Sequence, residues 1–352
     1  MIKLKVPGKL YVAGEYAVVE NGYPAVLVAI NRFIHLTVEP TKYYGTIFSK
    51  QYQEKPVRWT RSNSLLRLAN SNINLNFVLE AIRITEKYLF ENGTSPKYFN
   101  LTINSELDSI EGKKYGLGSS AAVTVGVVRA ISALYNVQLD SMTVFKLAAV
   151  AHYNIQQNGS LGDIAAITFG GWIGYHSVDR DWLTKQSQNS LTKLIDASWK
   201  GLKIQSLNPP AILTLLVGWT GKPASTAKLI SQVKQTNSKE YHTFLAESKK
   251  CVTTLIKAFE KQDVNLIKTQ INLNRKILQK LQKLSDVSIE TPLLTKLIEI
   301  ANQHHAAAKT SGAGGGDCGI AILNQASEKQ VIYNAWEKAG IEPIALQVYQ
   351  ED

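Results

Sequence analysis

The feature that most restricts this 352-residue chain is a glycine-serine turn running straight into a long apolar segment, Gly116-Leu117-Gly118-Ser119-Ser120-Ala121-Ala122. The polar stretch before it, Asn104 to Lys114, has no apolar periodicity, while the residues after it read as a helix from Ser119 to about Tyr135. Such a helix start offers unpaired N–H groups and the positive end of the helix dipole, and glycine lets an anion approach the backbone. A triphosphate suits it, and the Ser119 and Ser120 hydroxyls can bind phosphate oxygens or a magnesium ion. Serines that only cap the helix are the plainer alternative. Two other nucleotide loops do not fit. No GxxxxGK[ST] sequence occurs. Gly116-x-Gly118-x-x-Ala121 satisfies the loose dinucleotide pattern, but no strand precedes it and Asp140 reads as a helix cap.

A second turn, Ser311-Gly312-Ala313-Gly314-Gly315-Gly316-Asp317-Cys318-Gly319, holds five glycines in nine residues between a helix and an apolar strand. Ordering so many glycines costs entropy, so the loop serves close backbone approach to a ligand unless it is a flexible linker. A linker joins domains, whereas this loop lies inside the pattern of the second half. A third turn, Asn158-Gly159-Ser160-Leu161-Gly162-Asp163, sets a carboxylate at the head of apolar sequence. Partly buried there, Asp163 can accept a proton or orient an alcohol, with helix capping as the alternative. Near the start, Lys9 follows Pro7-Gly8 and heads the apolar run Leu10 to Ala13. An ammonium turned inward needs an anion beside it; a lysine lying along the surface is the plainer reading.

The length favours two domains, and 45% hydrophobic with 19% charged residues describes a chain that folds. Strands are expected at Ile2–Ala13, Ala25–Ala29, His35–Glu39, Tyr98–Ile103 and Phe169–His176, with helices at Asn76–Leu89, Ser119–Tyr135 and Ser141–Gln156. The hydrophilic stretch Asp179–Asn208 is the candidate inter-domain region, which gives units 1–200 and 201–352. The second unit reads as the strands Ala211–Val217, Gly319–Leu323 and Pro343–Val348, with helices at Ser225–Gln235, Lys239–Lys261, Val264–Leu284, Pro292–His305 and Glu328–Ala339. The pattern is α+β without a regular βαβ repeat.

With 39 Lys+Arg against 28 Asp+Glu, the formal charge of +11 favours anionic partners. Nucleic acid is the alternative this raises, but no zinc spacing, aromatic RNA-binding signature or dense basic helix supports it. No apolar run of about 18 residues occurs, so no membrane partner is expected. Cys251 and Cys318 form no CxxC or disulfide framework, and a cytoplasmic location is expected.

Taken in order, the Pro7–Tyr16 opening and the three turns resemble the motif set of the GHMP kinases, the galactose, homoserine, mevalonate and phosphomevalonate kinases. The stretches Lys9–Tyr16, Lys113–Val123, Asn158–Asp163, Val217–Thr226 and Ser311–Ala321 are most similar to the members that act on phosphomevalonate. The resemblance implies a two-domain fold, with an N-terminal half like the second domain of ribosomal protein S5, a ferredoxin-like C-terminal half, and the site between them. It implies that Gly116, Leu117, Gly118, Ser119, Ser120 and Ala121 hold the phosphates of ATP and that Ser120 helps bind Mg2+. Asp163 is implied to orient or deprotonate the acceptor, with Lys9 beside the reacting oxygen. Tyr16, Lys114, Ser160 and Thr226 are implied as acceptor ligands, and Ser311, Gly312, Ala313 and Gly314 as a loop closing over substrate. The implied acceptor is 5-phosphomevalonate, with mevalonate or another family substrate as the alternative, and the protein is expected as a monomer or homodimer. In one departure, the glutamate that mevalonate kinases carry upstream of this aspartate is replaced by His152.

Overall fold

The computed structural model describes residues 1–51, 53–62, 65–69, 75–108, 114–186, 190–221, 239–285, 287–324 and 326–351. Its first sheet grows from a long antiparallel pair, β1 (Ile2–Ala13) and β2 (Pro24–Thr41), whose register shifts between Pro7 and Gly8. Proline has no N–H to give the ladder, so a break there is what the sequence dictates. Beyond the break the strand is buried, and the Lys9 N–H bonds Leu117 O at 2.9 Å, tying β1 to the glycine-serine turn.

The remaining strands of this sheet are β3 (Gly45–Ser49), β4 (Val57–Ser62), β5 (Leu65–Leu68), β6 (Tyr98–Ser105), β7 (Trp172–His176) and β8 (Lys203–Leu207). Among the described residues the order is β5-β4-β3-β6-β2-β7-β8 with β1 on β2, and only the β3–β6 pairing is parallel. Helices Asn76–Glu91, Ser119–Leu134, Ser141–Gln156 and Gly162–Phe169 pack on one another, and the second and fourth also lie on β1 and β2. Helix Ser119–Leu134 is apolar on nearly every side, with Ala121, Ala122, Val125, Val127 and Val128 fully buried. Burial on all sides fixes its axis, while Ser119 and Ser120 at its N-terminus stay partly exposed.

The second sheet takes β9 (Thr214–Trp219), β10 (Ala307–Thr310), β11 (Cys318–Leu323) and β12 (Glu342–Pro343) in the antiparallel order β10-β11-β9-β12. Helices Lys239–Glu260, Val264–Ser285 and Pro292–Gln303 lie between β9 and β10 in the chain, and helix Lys329–Lys338 between β11 and β12. Strand, helix, two strands, helix, strand in this spatial order is the ferredoxin-like arrangement.

Three expectations need correction. The stretch Asp179–Asn208 is not a bare linker: it contains helices Arg180–Gln186 and Leu191–Asp196 and strand β8, which closes an edge of the first sheet. Sheet membership therefore divides between Leu207 and Thr214, beyond the expected boundary at 200. The strand expected at Phe169–His176 starts at Trp172, because Gly162–Phe169 is a helix ended by Gly170 at φ 69°. The strand expected at Pro343–Val348 stays in the second sheet for two residues only. The chain then crosses back, with hydrogen bonds from Asn31 N to Gln347 O at 3.0 Å, Tyr349 N to Ala29 O at 2.9 Å and Gly171 N to Tyr349 O at 2.7 Å. Arg129 holds Glu351 through both terminal nitrogens, at 2.6 and 2.7 Å, and donates to Thr168 O at 2.9 Å. The helix expected at Ser225–Gln235 lies outside the described residues. Among the described residues no helix is long and apolar enough to cross a membrane.

Candidate active site

The three turns, Gly116–Ala122, Asn158–Asp163 and Ser311–Gly319, meet around one cavity of about 230 Å³. On one wall the helix begins at Ser119 with Gly118 as its N-cap, at φ 87° and ψ 36°, and no side chain caps it. The serines therefore do not do the capping. The left-handed conformation requires glycine, and so does the space: a Cβ at Gly118 would lie 2.7 Å from Lys9 Cε. Lys9, only 9% exposed, is threaded past this glycine and donates from Nζ to Gly116 O at 3.3 Å.

Opposite lies helix Gly162–Phe169, entered through Leu161 at φ 65°, with Asp163 in its first turn. Asp163 Oδ1 accepts from Ile164 N at 3.0 Å, and the carboxylate faces the cavity. Its charge is felt by three neighbours. Burial pushes the Tyr11 and Tyr175 phenols up and Asp163 adds to the rise, whereas burial pulls His152 down and Asp163 opposes it. His152 is 2% exposed, stacks on Phe77 with ring centroids 4.9 Å apart, and puts Nε2 3.3 Å from Ser120 Oγ. The neutral imidazole thus stands against the hydroxyl expected to touch metal. Ser160 Oγ contacts Tyr11 Oη at 2.8 Å and accepts from Gly162 N at 3.1 Å.

The glycine-rich loop closes the third side and is fastened at several points. Tyr16 donates to Ala313 O at 2.5 Å, and Ser311 Oγ donates to Tyr11 O at 2.8 Å. A fully buried ion pair joins Lys309, at the end of β10, to Glu15 just after β1. Gly314, at φ 71°, passes so close to Ile289 that a Cβ would sit 2.1 Å from its carbonyl oxygen, and Gly315 N donates to that oxygen at 2.8 Å. Glu290 beside it is gripped by Arg275 at 2.6 and 2.9 Å.

Lys9, Tyr16, Lys114, Gly116, Gly118, Ser119, Ser120, Ser160, Asp163, Ser311, Gly312 and Ala313 all line the cavity. Leu117 and Ala121 do not: their side chains are buried in the first core, which leaves only their backbone for a ligand. Gly314 supports the loop from behind, and Thr226 lies outside the described residues. Tyr11, Glu15, His152, Gln156 and Asn158 also line the cavity and were not singled out as ligands. Tyr11, Glu15 and Asn158 lie inside the stretches that carry the resemblance and His152 stands where mevalonate kinases have their glutamate, whereas Gln156 carries no such signal. A further cavity of about 150 Å³, with Phe77, Val78 and Ile103 in its wall, shares Lys114, Ser119 and Ser120 with the first. The helix start thus stands between a polar cavity and a more apolar one.

A helix N-terminus with open N–H groups, a lysine and a carboxylate across a cleft are the parts of a phosphotransferase. The family model of the GHMP kinases N terminal domain matches residues 76–171, and that of the GHMP kinases C terminal matches residues 255–342. The chain belongs to the GHMP kinase family. It is 36% identical to a phosphomevalonate kinase of Streptomyces sp. (strain CL190), over 97% of this chain and 95% of that one. Among solved structures it is similar to a protein from Listeria innocua, at TM-score 0.93 and 40% identity, covering 99% of this chain and 98% of that one. It is also similar to the Streptococcus pneumoniae phosphomevalonate kinase in complex with phosphomevalonate and AMPPNP, at TM-score 0.88 and 32% identity over 99% of this chain and all of that one.

Proposed function

We propose that the protein transfers the γ-phosphoryl group of ATP to the phosphate of 5-phosphomevalonate, giving ADP and 5-diphosphomevalonate, in the mevalonate route to isoprenoids. The observation that carries this reading is the convergence of Lys9, Asp163 and the open helix start at Ser119 on one cavity. In the transfer an oxygen of the acceptor phosphate bonds to Pγ while the bond from Pγ to the bridging oxygen of ADP breaks. The protein's work is placement and charge. The N–H groups at Ser119 and Ser120 receive the polyphosphate, and the cavity behind them, walled by Phe77, Val78 and Ile103 beside polar side chains, takes the nucleoside. Lys9, held by the backbone at Gly116, meets the negative charge that gathers on the transferred group. Lys114 on the same rim offsets the repulsion between two anionic substrates. A phosphate monoester has its second pKa near 6, so most of the acceptor arrives without a proton. Asp163 is therefore proposed mainly to orient the acceptor, and to take up a proton from the fraction that carries one.

Magnesium fits this site as an ion that arrives on the nucleotide. Among the described residues no three of His, Cys, Asp or Glu converge, and Ser120 offers one neutral oxygen. That donor set suits Mg2+, which keeps its waters and takes phosphate oxygens, better than a protein cage would. Ser120 would hold it, and the ion would neutralise phosphate charge. The unit built on the first sheet is proposed to supply the phosphate turn and the unit built on the second the covering loop, in a cytoplasmic enzyme. Release of ADP, measured with phosphomevalonate, mevalonate and homoserine as acceptors, tests the reading. Turnover of phosphomevalonate is expected, and full activity confined to mevalonate overturns the acceptor.

A further inference from the structure

We propose that Tyr11 is a positioning residue that commits the Ser160 hydroxyl to donate its proton into the cavity, so that this wall recognises anionic oxygen. The inference deepens the reading above and rests on its anionic acceptor. A serine oxygen has two lone pairs and one proton. At Ser160, 6% exposed, one lone pair is taken by the Gly162 N–H at 3.1 Å. The contact to Tyr11 Oη at 2.8 Å can run in either direction. Of the two groups the phenol is the stronger donor and the poorer acceptor, because its oxygen lone pairs are drawn into the ring, so Tyr11 donates and Ser160 accepts.

With Tyr11 as donor both lone pairs of Ser160 are filled. Only the serine proton is left, and the residue lines the cavity. Burial, reinforced by the charge of Asp163, raises the Tyr11 phenol well above its ordinary 10, so the proton stays on the ring oxygen at neutral pH. The Gly162 N–H holds Ser160 Oγ in place, and Tyr175 fixes the backbone behind it by donating to the Ser160 carbonyl oxygen at 2.5 Å. A hydroxyl held as a pure donor suits phosphate or carboxylate oxygen and rejects an ammonium or amide N–H. Lys9 Nζ, 5.5 Å from the centre of the Tyr11 ring, puts positive charge on the same wall.

A double-mutant cycle with Tyr11→Phe, Ser160→Ala and both together tests the proposal in the full chain. Acceptor Kd is read by calorimetry with a non-hydrolysable ATP analogue present, and KM for ATP and thermal unfolding serve as controls. Tyr11→Phe is expected to raise acceptor Kd about tenfold, the size of a charged hydrogen bond lost, and to leave the KM for ATP within about twofold. In the Ser160→Ala background it is expected to add less than about twofold. Equal penalties with and without the Ser160 hydroxyl, or an unchanged Kd in Tyr11→Phe, overturn it. The cycle is run with phosphomevalonate and with mevalonate. Binding of mevalonate alone sinks the acceptor assignment, while the cycle still reads on the mevalonate carboxylate. A neutron structure of the wild-type protein needs no variant and no acceptor. Deuterium on the Tyr11 oxygen pointing at Ser160 is expected, and deuterium on Ser160 pointing at Tyr11 refutes the proposal.

Discussion

Replacing Gly118 by alanine separates the cost of backbone strain from the cost to chemistry. The residue sits at φ 87° and ψ 36°, a left-handed conformation that costs an L-residue about 1–2 kcal/mol. The new methyl carbon would lie 2.7 Å from Lys9 Cε and 3.0 Å from Lys9 Cγ, so the lysine must move. Moving a flexible side chain adds little to the stability loss, but it carries Nζ off its hydrogen bond to Gly116 O by roughly an ångström, and misplacement of that size costs on the order of 100-fold in rate. Gly22→Ala is the matched control: at φ 76°, with nothing within 4 Å of the added Cβ, it suffers the strain without the collision. Urea unfolding and a coupled assay of ADP release read the two quantities. Both variants should lose about 1–2 kcal/mol of stability, and only Gly118→Ala should lose about 100-fold in kcat. A folded Gly118→Ala enzyme with kcat within about threefold of wild type would refute the placement of Lys9 at the reacting group.

Lys309→Met strands the Glu15 carboxylate in the core and should cost about 3–5 kcal/mol in urea unfolding; Glu15→Gln added to it should recover part of the loss. Burial alone would raise the Glu290 carboxyl, but the hydrogen bonds and charge of Arg275 outweigh it and hold it below its ordinary 4.5. A depressed carboxylate contributes stability above its unfolded value and loses it as pH falls through the folded one. Arg275→Gln should therefore cost roughly 2 kcal/mol at pH 7, with the gap to wild type closing below pH 4.5 in pH-dependent unfolding. A gap constant with pH would show that the pair is not its source. Lys9→Met and Asp163→Asn should each lower kcat by about 100-fold or more while leaving both KM values within a few-fold; near wild-type kcat in both rules out the proposed roles.

The turns were legible because their glycines have no other use: the conformations at Gly118 and Gly314 exclude any side chain, and glycine is the visible mark of such a place. The long helices were legible by period, and the ends at Glu91, Leu134 and Gln156 fall close to where the pattern stops. Helix Gly162–Phe169 was hidden because, after Asp163, the short apolar run Ile164–Ile167 has the same profile as a buried strand. The crossing of Ile344–Glu351 back to β2 was hidden for another reason. Extended backbone reads alike whichever sheet it joins, and the deciding contact, Arg129 with Glu351, spans 222 positions. The contacts of the site's supporting residues were unreadable in the same way. Tyr11, Glu15 and His152 sit in ordinary strand and helix patterns, and the Glu15–Lys309 pair links positions 294 apart.

The return of the last described residues to β2 bears on how the molecule comes apart. The second half carries the strap that finishes the first, through Tyr349 on Ala29 and Glu351 on the flank of the helix that begins at Ser119. Melting the ferredoxin-like half pulls that strap away, so neither half has a calorimetric peak of its own and heating should produce one shared endotherm.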